Sequence, residues 1–63
     1  MNFVVGVLSF FEIKLEKITA ESEKEALKKH SLLNGYTIDE DASLEKIYDD
    51  LFNCDIAASV IKI

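Results

Sequence analysis

The sequence predicts a small α+β domain of order β-β-α-α-β: a three-stranded antiparallel sheet, strand order 2-1-3, with two helices on one face. Three observations carry this. The run Phe3 to Phe10 is apolar on both faces of an extended chain. Ser22-Glu-Lys-Glu25 spells a capping box, in which a serine hydroxyl and a glutamate carboxylate satisfy amides that a helix start leaves unpaired. Leu44, Ile47, Tyr48, Leu51 and Phe52 follow the i, i+3, i+4, i+7, i+8 spacing of a one-sided helix.

Strand one runs through Phe3-Val-Val-Gly-Val-Leu-Ser-Phe10, rich in the β-branched and aromatic residues that suit a pleated surface. Phe3, Val5 and Val7 share one face and Val4, Leu8 and Phe10 the other, a pattern that belongs to a central or doubly covered strand. Gly6 marks a bulge or a close approach. The connection near Phe10–Glu12 has no Gly, Asn or Asp to fix its turn. Strand two spans residues 12–20. Ile13 and Leu15 alternate with Lys14 and Glu16, and then the phase slips, because Lys17 is polar and Ile18 apolar. A bulge at Glu16–Lys17 would absorb the slip, and Lys14 and Lys17 mark the strand as an edge.

The first helix follows the capping box to about Leu33, with Ala26, Leu27, His30 and Leu33 as its inner stripe and Lys28 and Lys29 in its C-terminal half, where the dipole favours cations. Asn34-Gly35 is a left-handed stop. Tyr36 to Ile38 reads as extended or loop, Asp39 to Ser43 as an acidic lead into the second helix, and residues 54–63 as strand three. A right-handed crossover sets strand three parallel to strand two, with the doubly apolar strand one between them.

Sixty-three residues make one small domain with a real core, since 49% of the residues are apolar. Seven of the twelve acidic residues lie between Asp39 and Asp55, opposed there only by Lys46; residues 1–38 hold five Glu and five Lys and balance. The chain is thus a neutral body carrying one anionic block. A net charge of −5 argues against direct nucleic-acid binding, which needs phosphate-neutralising cations. The longest uncharged run, residues 1–11, is too short to span a bilayer and lacks the basic flank of a signal peptide. The lone Cys54 points to a reducing cytoplasm.

Catalytic and metal-binding readings find little support. His30 is the only histidine, has no neighbouring Ser or Cys, and at helical spacing borders the core. Cys54 follows a helix C-terminus, which disfavours a thiolate, so a buried structural thiol is expected. Asp39-x-Asp41-x-Ser43 with Asp50 has the outline of a calcium loop, but Leu44 stands where the turn needs Gly and Asp50 where the loop needs a bidentate Glu. No cofactor, metal or catalytic residue is assigned, and the protein is not expected to be an enzyme. The expected partner-binding residues are Asp39, Glu40, Asp41, Glu45, Asp49 and Asp50, with Glu45, Asp49 and Asp50 turned away from the apolar stripe of the second helix.

Ile18-Thr-Ala-Glu-Ser-Glu-Lys-Glu-Ala-Leu27 is similar to the strand-to-capped-helix junction of small β-β-α proteins, among them phage proteins that inhibit host RNA polymerase. Val4-Val-Gly-Val-Leu-Ser-Phe-Phe11 and Phe52-Asn-Cys-Asp-Ile56 also resemble small phage-encoded accessory proteins. The resemblance implies a host-takeover or anti-defence inhibitor that binds and redirects a host or defence protein. The residues themselves point to two modes of contact. One is an anionic helix face docked on a basic protein surface. The other is an assembly module that forms a homodimer through the edge of strand three, which only Lys62 guards.

Overall fold

A strand with two apolar faces gains most by taking neighbours on both sides, and strand one does so. The computed structural model describes residues 1–10 and 12–63. In it β1 (Asn2–Ser9) pairs antiparallel with both β2 (Glu12–Thr19) and β3 (Ile56–Lys62), giving the order β2-β1-β3. Helices α1 (Glu23–Asn34) and α2 (Leu44–Asn53) lie together on one face of this sheet. The turn expected near Phe10–Glu12 includes Phe11, which lies outside the described residues; Phe10 itself has a positive φ of 37°.

The expected bulge in β2 is not there. The β1–β2 register runs unbroken from Asn2 opposite Thr19 to Ser9 opposite Glu12. The phase slip is real instead, because Ile18 joins Phe3, Val5 and Val7 in the core while Ile13 and Leu15 stand on the opposite face. Gly6 marks a close approach rather than a bulge: a Cβ there would come within 3.1 Å of Leu15 Cδ1.

Both helix starts are built as their caps dictate. The Ser22 hydroxyl accepts the Glu25 amide at 3.2 Å, and the Ser43 hydroxyl accepts the Lys46 amide at 3.3 Å. The Glu25 carboxylate reaches the Glu21 amide at 3.4 Å rather than that of Ser22, one residue further back than the capping box predicts. Gly35 closes α1 in the left-handed region, φ 77°, and its amide donates to the Ser31 carbonyl. At the end of α2 the same role falls to Asp55, φ 62°, one of the few side chains that visit this region readily. Lys28 and Lys29 fall short of the last turn of α1 and so do not serve its dipole; Lys28 pairs instead with Glu40, and Lys29 with Glu25 and the Thr19 carbonyl.

The core sits between the sheet and the helices. Phe3, Val5, Val7, Ile18 and Ala20 meet Ala26, Leu27, Ala42, Ile47 and Leu51, with Tyr36, Ile38, Leu44, Tyr48, Ile56, Ala58 and Val60 packed around them. Two members of the expected stripes are outside it. Leu33 and Phe52 are 68% and 72% exposed. At about 100° per residue each lies about 90° from the centre of its stripe, and on α1 it is Ser31, at the opposite border, that is buried. Cys54 is exposed rather than buried, since it occupies the helix C-cap, where its amide bonds back to Leu51 and the chain turns into Asp55. Among the described residues no helix is long and apolar enough to cross a membrane.

Candidate functional site

Residues 39–41 precede α2 and the other expected carboxylates ride on it. Asp39 Oδ1 accepts the Asp41 amide at 3.0 Å, and the Asp39 carbonyl accepts that of Ala42, so this short acidic turn is folded on itself before Ser43 starts the helix. Glu40 meets Lys28 of α1 at 3.0 Å, and Asp50 meets Lys46 at 3.2 Å one helical turn away. Both pairs are exposed, so each contributes little to stability. All six expected residues are exposed, and Asp39, Asp41, Glu45 and Asp49 have no ion-pair partner among the described residues. The structure thus divides the block. Glu40 and Asp50 are paired with lysines, Asp39 accepts only a backbone amide, and Asp39, Asp41, Glu45 and Asp49 are the charges without a cationic partner among the described residues.

On α2, Glu45, Asp49 and Phe52 follow one another at i, i+4 and i+7, so they line one stripe of the helix surface. Phe52 then lies over a groove shared with Tyr48, Asp49, Ile56, Ala57 and Ala58, between α2 and the outer edge of β3. An exposed aromatic ring bordered by carboxylates can accept a cationic side chain by charge and by its π face. The periodicity of α2 assigned Phe52 to the core and so concealed it; its place at the border of the stripe is the only sign of it in the sequence.

The free edge of β3 is partly guarded. The Ile63 amide donates to the Asn2 carbonyl at 3.0 Å. By the alternation of an antiparallel ladder, the backbone groups of Ile56, Ala58, Val60 and Lys62 then face outward. The Tyr48 hydroxyl lies near the Val60 backbone and interacts with it. Burial raises the Tyr48 pKa and the Glu23 carboxylate raises it further, with the Val60 interaction opposing them. Across the sheet, Lys29 Nζ takes the outward carbonyl of Thr19 at 2.8 Å. Neither edge is bare.

A second constellation surrounds His30, which is 0% exposed. Its Nδ1 lies 2.7 Å from the Tyr36 hydroxyl, and its Nε2 lies 3.6 Å from Glu16 Oε1, too far for a hydrogen bond. Asn34 Nδ2 donates to the same Glu16 oxygen at 2.6 Å and to the His30 carbonyl at 3.0 Å. The Tyr36 pKa is pushed up to about 12, by burial first, then by the Glu16 and Tyr48 charges. Which of His30 Nδ1 and the Tyr36 hydroxyl donates depends on the imidazole tautomer; the tautomer in which the hydroxyl donates places the ring N–H on Nε2, facing the Glu16 carboxylate. Sequence spacing gave no hint of this cluster, because Glu16 reaches it only through the unbulged register of β2. Enclosed as it is, His30 offers a substrate no approach. Among the described residues no three His, Cys, Asp or Glu side chains converge on a possible metal position.

The sheet face away from the helices is also open. Leu8 on β1, Ile13 and Leu15 on β2, and Ile61 and Ile63 at the end of β3 all point there, between 48% and 71% exposed. Comparison of the chain with family models, curated proteins and solved structures found no match.

Proposed function

We propose that this protein is a small, non-catalytic protein-binding module whose docking surface is the anionic side of α2, with Phe52 as its anchor. The observation that carries the reading is the stripe Glu45, Asp49, Phe52: two carboxylates without an ion-pair partner among the described residues, followed by a ring 72% exposed. A partner that fits has a basic surface with an apolar recess. Its cations meet Asp41, Glu45 and Asp49, and the recess takes the ring. Aromatic anchors ringed by polar contacts dominate the energetics of such interfaces, and the charges steer the approach. A host or defence protein met in the host cytoplasm is the partner that the resemblance to phage accessory proteins implies.

The test is affinity capture from the host cell, followed by titration of the captured partner. Glu45→Gln, Asp49→Asn and Asp50→Asn together are expected to slow association at low salt and to flatten the salt dependence. Phe52→Ala is expected to speed dissociation at least tenfold. Unchanged affinity in both variants, with no salt dependence in the parent, overturns the reading.

A further inference from the structure

The open face of the sheet has a shape as well as a composition. Paired rows cross it: Ile13, Leu8 and Ala57; Leu15, Gly6 and Ser59; Lys17, Val4 and Ile61. The β2 side of the first two rows is large, and the β3 side small. Ile13 and Leu15 stand as a ridge, and an open, almost wholly apolar hollow lies beside it, lined by Gly6, Leu8, Ile13, Ala57 and Ser59. Gly6 lets Leu15 lean over the sheet: the site for a Cβ is 3.1 Å from Leu15 Cδ1. Ridge and hollow therefore sit on opposite sides of one face.

We propose that this face binds a second copy of the chain, sheet against sheet, as a two-fold dimer. A two-fold axis lying in the interface and parallel to the strands carries β2 of one copy over β3 of the other. The Ile13–Leu15 ridge of each then enters the Gly6–Ala57–Ser59 hollow of its partner, the self-complementarity that a two-fold contact requires. The area suffices for a weak, micromolar pair. The exposed aliphatic side chains of the face offer roughly 600 Å² per copy, so complete cover buries at most about 1,200 Å², the lower bound of specific interfaces and the size of a weak dimer.

Charge selects the same occupant. Lys17 is the one charged side chain in these rows; it is exposed and stands on the edge strand β2, where a lysine can carry its ammonium past the rim to water. The acidic block lies with the helices, on the other side of the sheet from the contact. Two blocks so placed are further apart than the Debye length of about 8 Å at physiological salt. Nucleic acid and anionic lipid are poor alternatives for a chain of net charge −5. Pairing through a strand edge is hindered by the Tyr48–Val60 contact on β3 and the Lys29–Thr19 contact on β2. The pattern of β1, apolar on both faces, also calls for a layer on each side.

Sedimentation equilibrium and amide exchange on the parent protein test the proposal. The expected result is a dimer of two 7.1 kDa chains at micromolar concentration, with the outward amides of Ile56 and Ala58 still exchanging freely. Leu15→Lys, at an exposed position, is expected to give a monomer with unchanged circular dichroism, and Ile13→Lys serves equally if that variant fails to fold. The Glu45, Asp49 and Asp50 neutralisation is expected to leave the dimer intact, which separates this surface from the proposed docking site. A parent protein that is monomeric at hundreds of micromolar overturns the proposal. So does a dimer indifferent to Leu15→Lys and Ile13→Lys, one whose Ile56 and Ala58 amides are protected, or an open-ended polymer.

Discussion

Ile47 and Phe52 lie on the same helix and satisfy the same periodic pattern, yet truncating them should have opposite consequences. Ile47 is 1% exposed and packed in the core; Phe52 is 72% exposed. Ile47→Ala removes three carbons, worth about 2.4 kcal/mol at about 0.8 kcal/mol each. The cavity left behind brings the total to about 2–5 kcal/mol. A domain of this length holds roughly 3–9 kcal/mol in all, so the variant keeps little reserve. At about 4–8 °C per kcal/mol its melting temperature should fall by at least about 10 °C, and the upper part of the range leaves it largely unfolded at room temperature. Phe52→Ala removes more carbon but takes almost none from the interior, and should cost within about 0.5 kcal/mol. The assay is thermal unfolding followed by circular dichroism, at one protein concentration because self-association stabilises the folded state by mass action. Equal shifts in the two variants, or a loss of only a degree or two in Ile47→Ala, would refute the assignment of the core face of α2.

Two further outcomes follow from individual side chains. Ultraviolet titration of the native protein should show both tyrosines ionising above the ordinary value of 10, Tyr36 at about 12, whereas in denaturant both ionise near 10. Because the folded state holds the Tyr36 proton more tightly, the associated stability is whole below pH 10 and is lost as pH rises to about 12; Tyr36→Phe should remove that share of the alkaline slope, and a native Tyr36 midpoint at 10 would contradict it. Cys54 is exposed at the α2 C-cap, so a thiol reagent should modify it in the folded protein without unfolding, and Cys54→Ser should melt within a few degrees of the parent; a thiol that reacts only in denaturant would contradict the cap geometry.

The strand order was legible because β1 is apolar on both faces and the crossover rule leaves the centre to it. The start of α1 was legible because Ser22 opens a capping box; the Ser43 cap of α2 was hidden in its acidic lead. The limits of each apolar stripe were not legible either. Periodicity fixes the centre of a buried face, but its border depends on what lies opposite, so Leu33 and Phe52 fit the spacing and still face water. The phase slip in β2 was visible, but its resolution was not. A bulge keeps every apolar side chain on one face, and that solution is compelling only when the other face must be polar. Here the other face already carries Val4, Leu8 and Ile61, so Ile13 and Leu15 gain apolar neighbours there, and the register stays regular.

That unbroken register also makes the polar cluster. A bulge at Glu16–Lys17 would have turned Glu16 away; without it Glu16 shares the inner side with Ile18, half-buried against α1, and needs partners. Asn34 supplies a direct hydrogen bond, and the enclosed His30 stands 3.6 Å away with its other nitrogen on Tyr36. The same choice of phase that brings one carboxylate inside therefore brings two aliphatic side chains outside. Glu16 and the Ile13–Leu15 ridge are two results of one register. A single substitution can probe either: Glu16→Gln keeps the Asn34 bond and changes only the charge facing His30, and Leu15→Lys changes only the open face. The α2 carboxylates lie across the sheet from the ridge, so neutralising Glu45 and changing Leu15 should act additively. Ala57 instead lines both the Phe52 groove and the hollow, so Phe52→Ala and Leu15→Lys should couple in a double-mutant cycle.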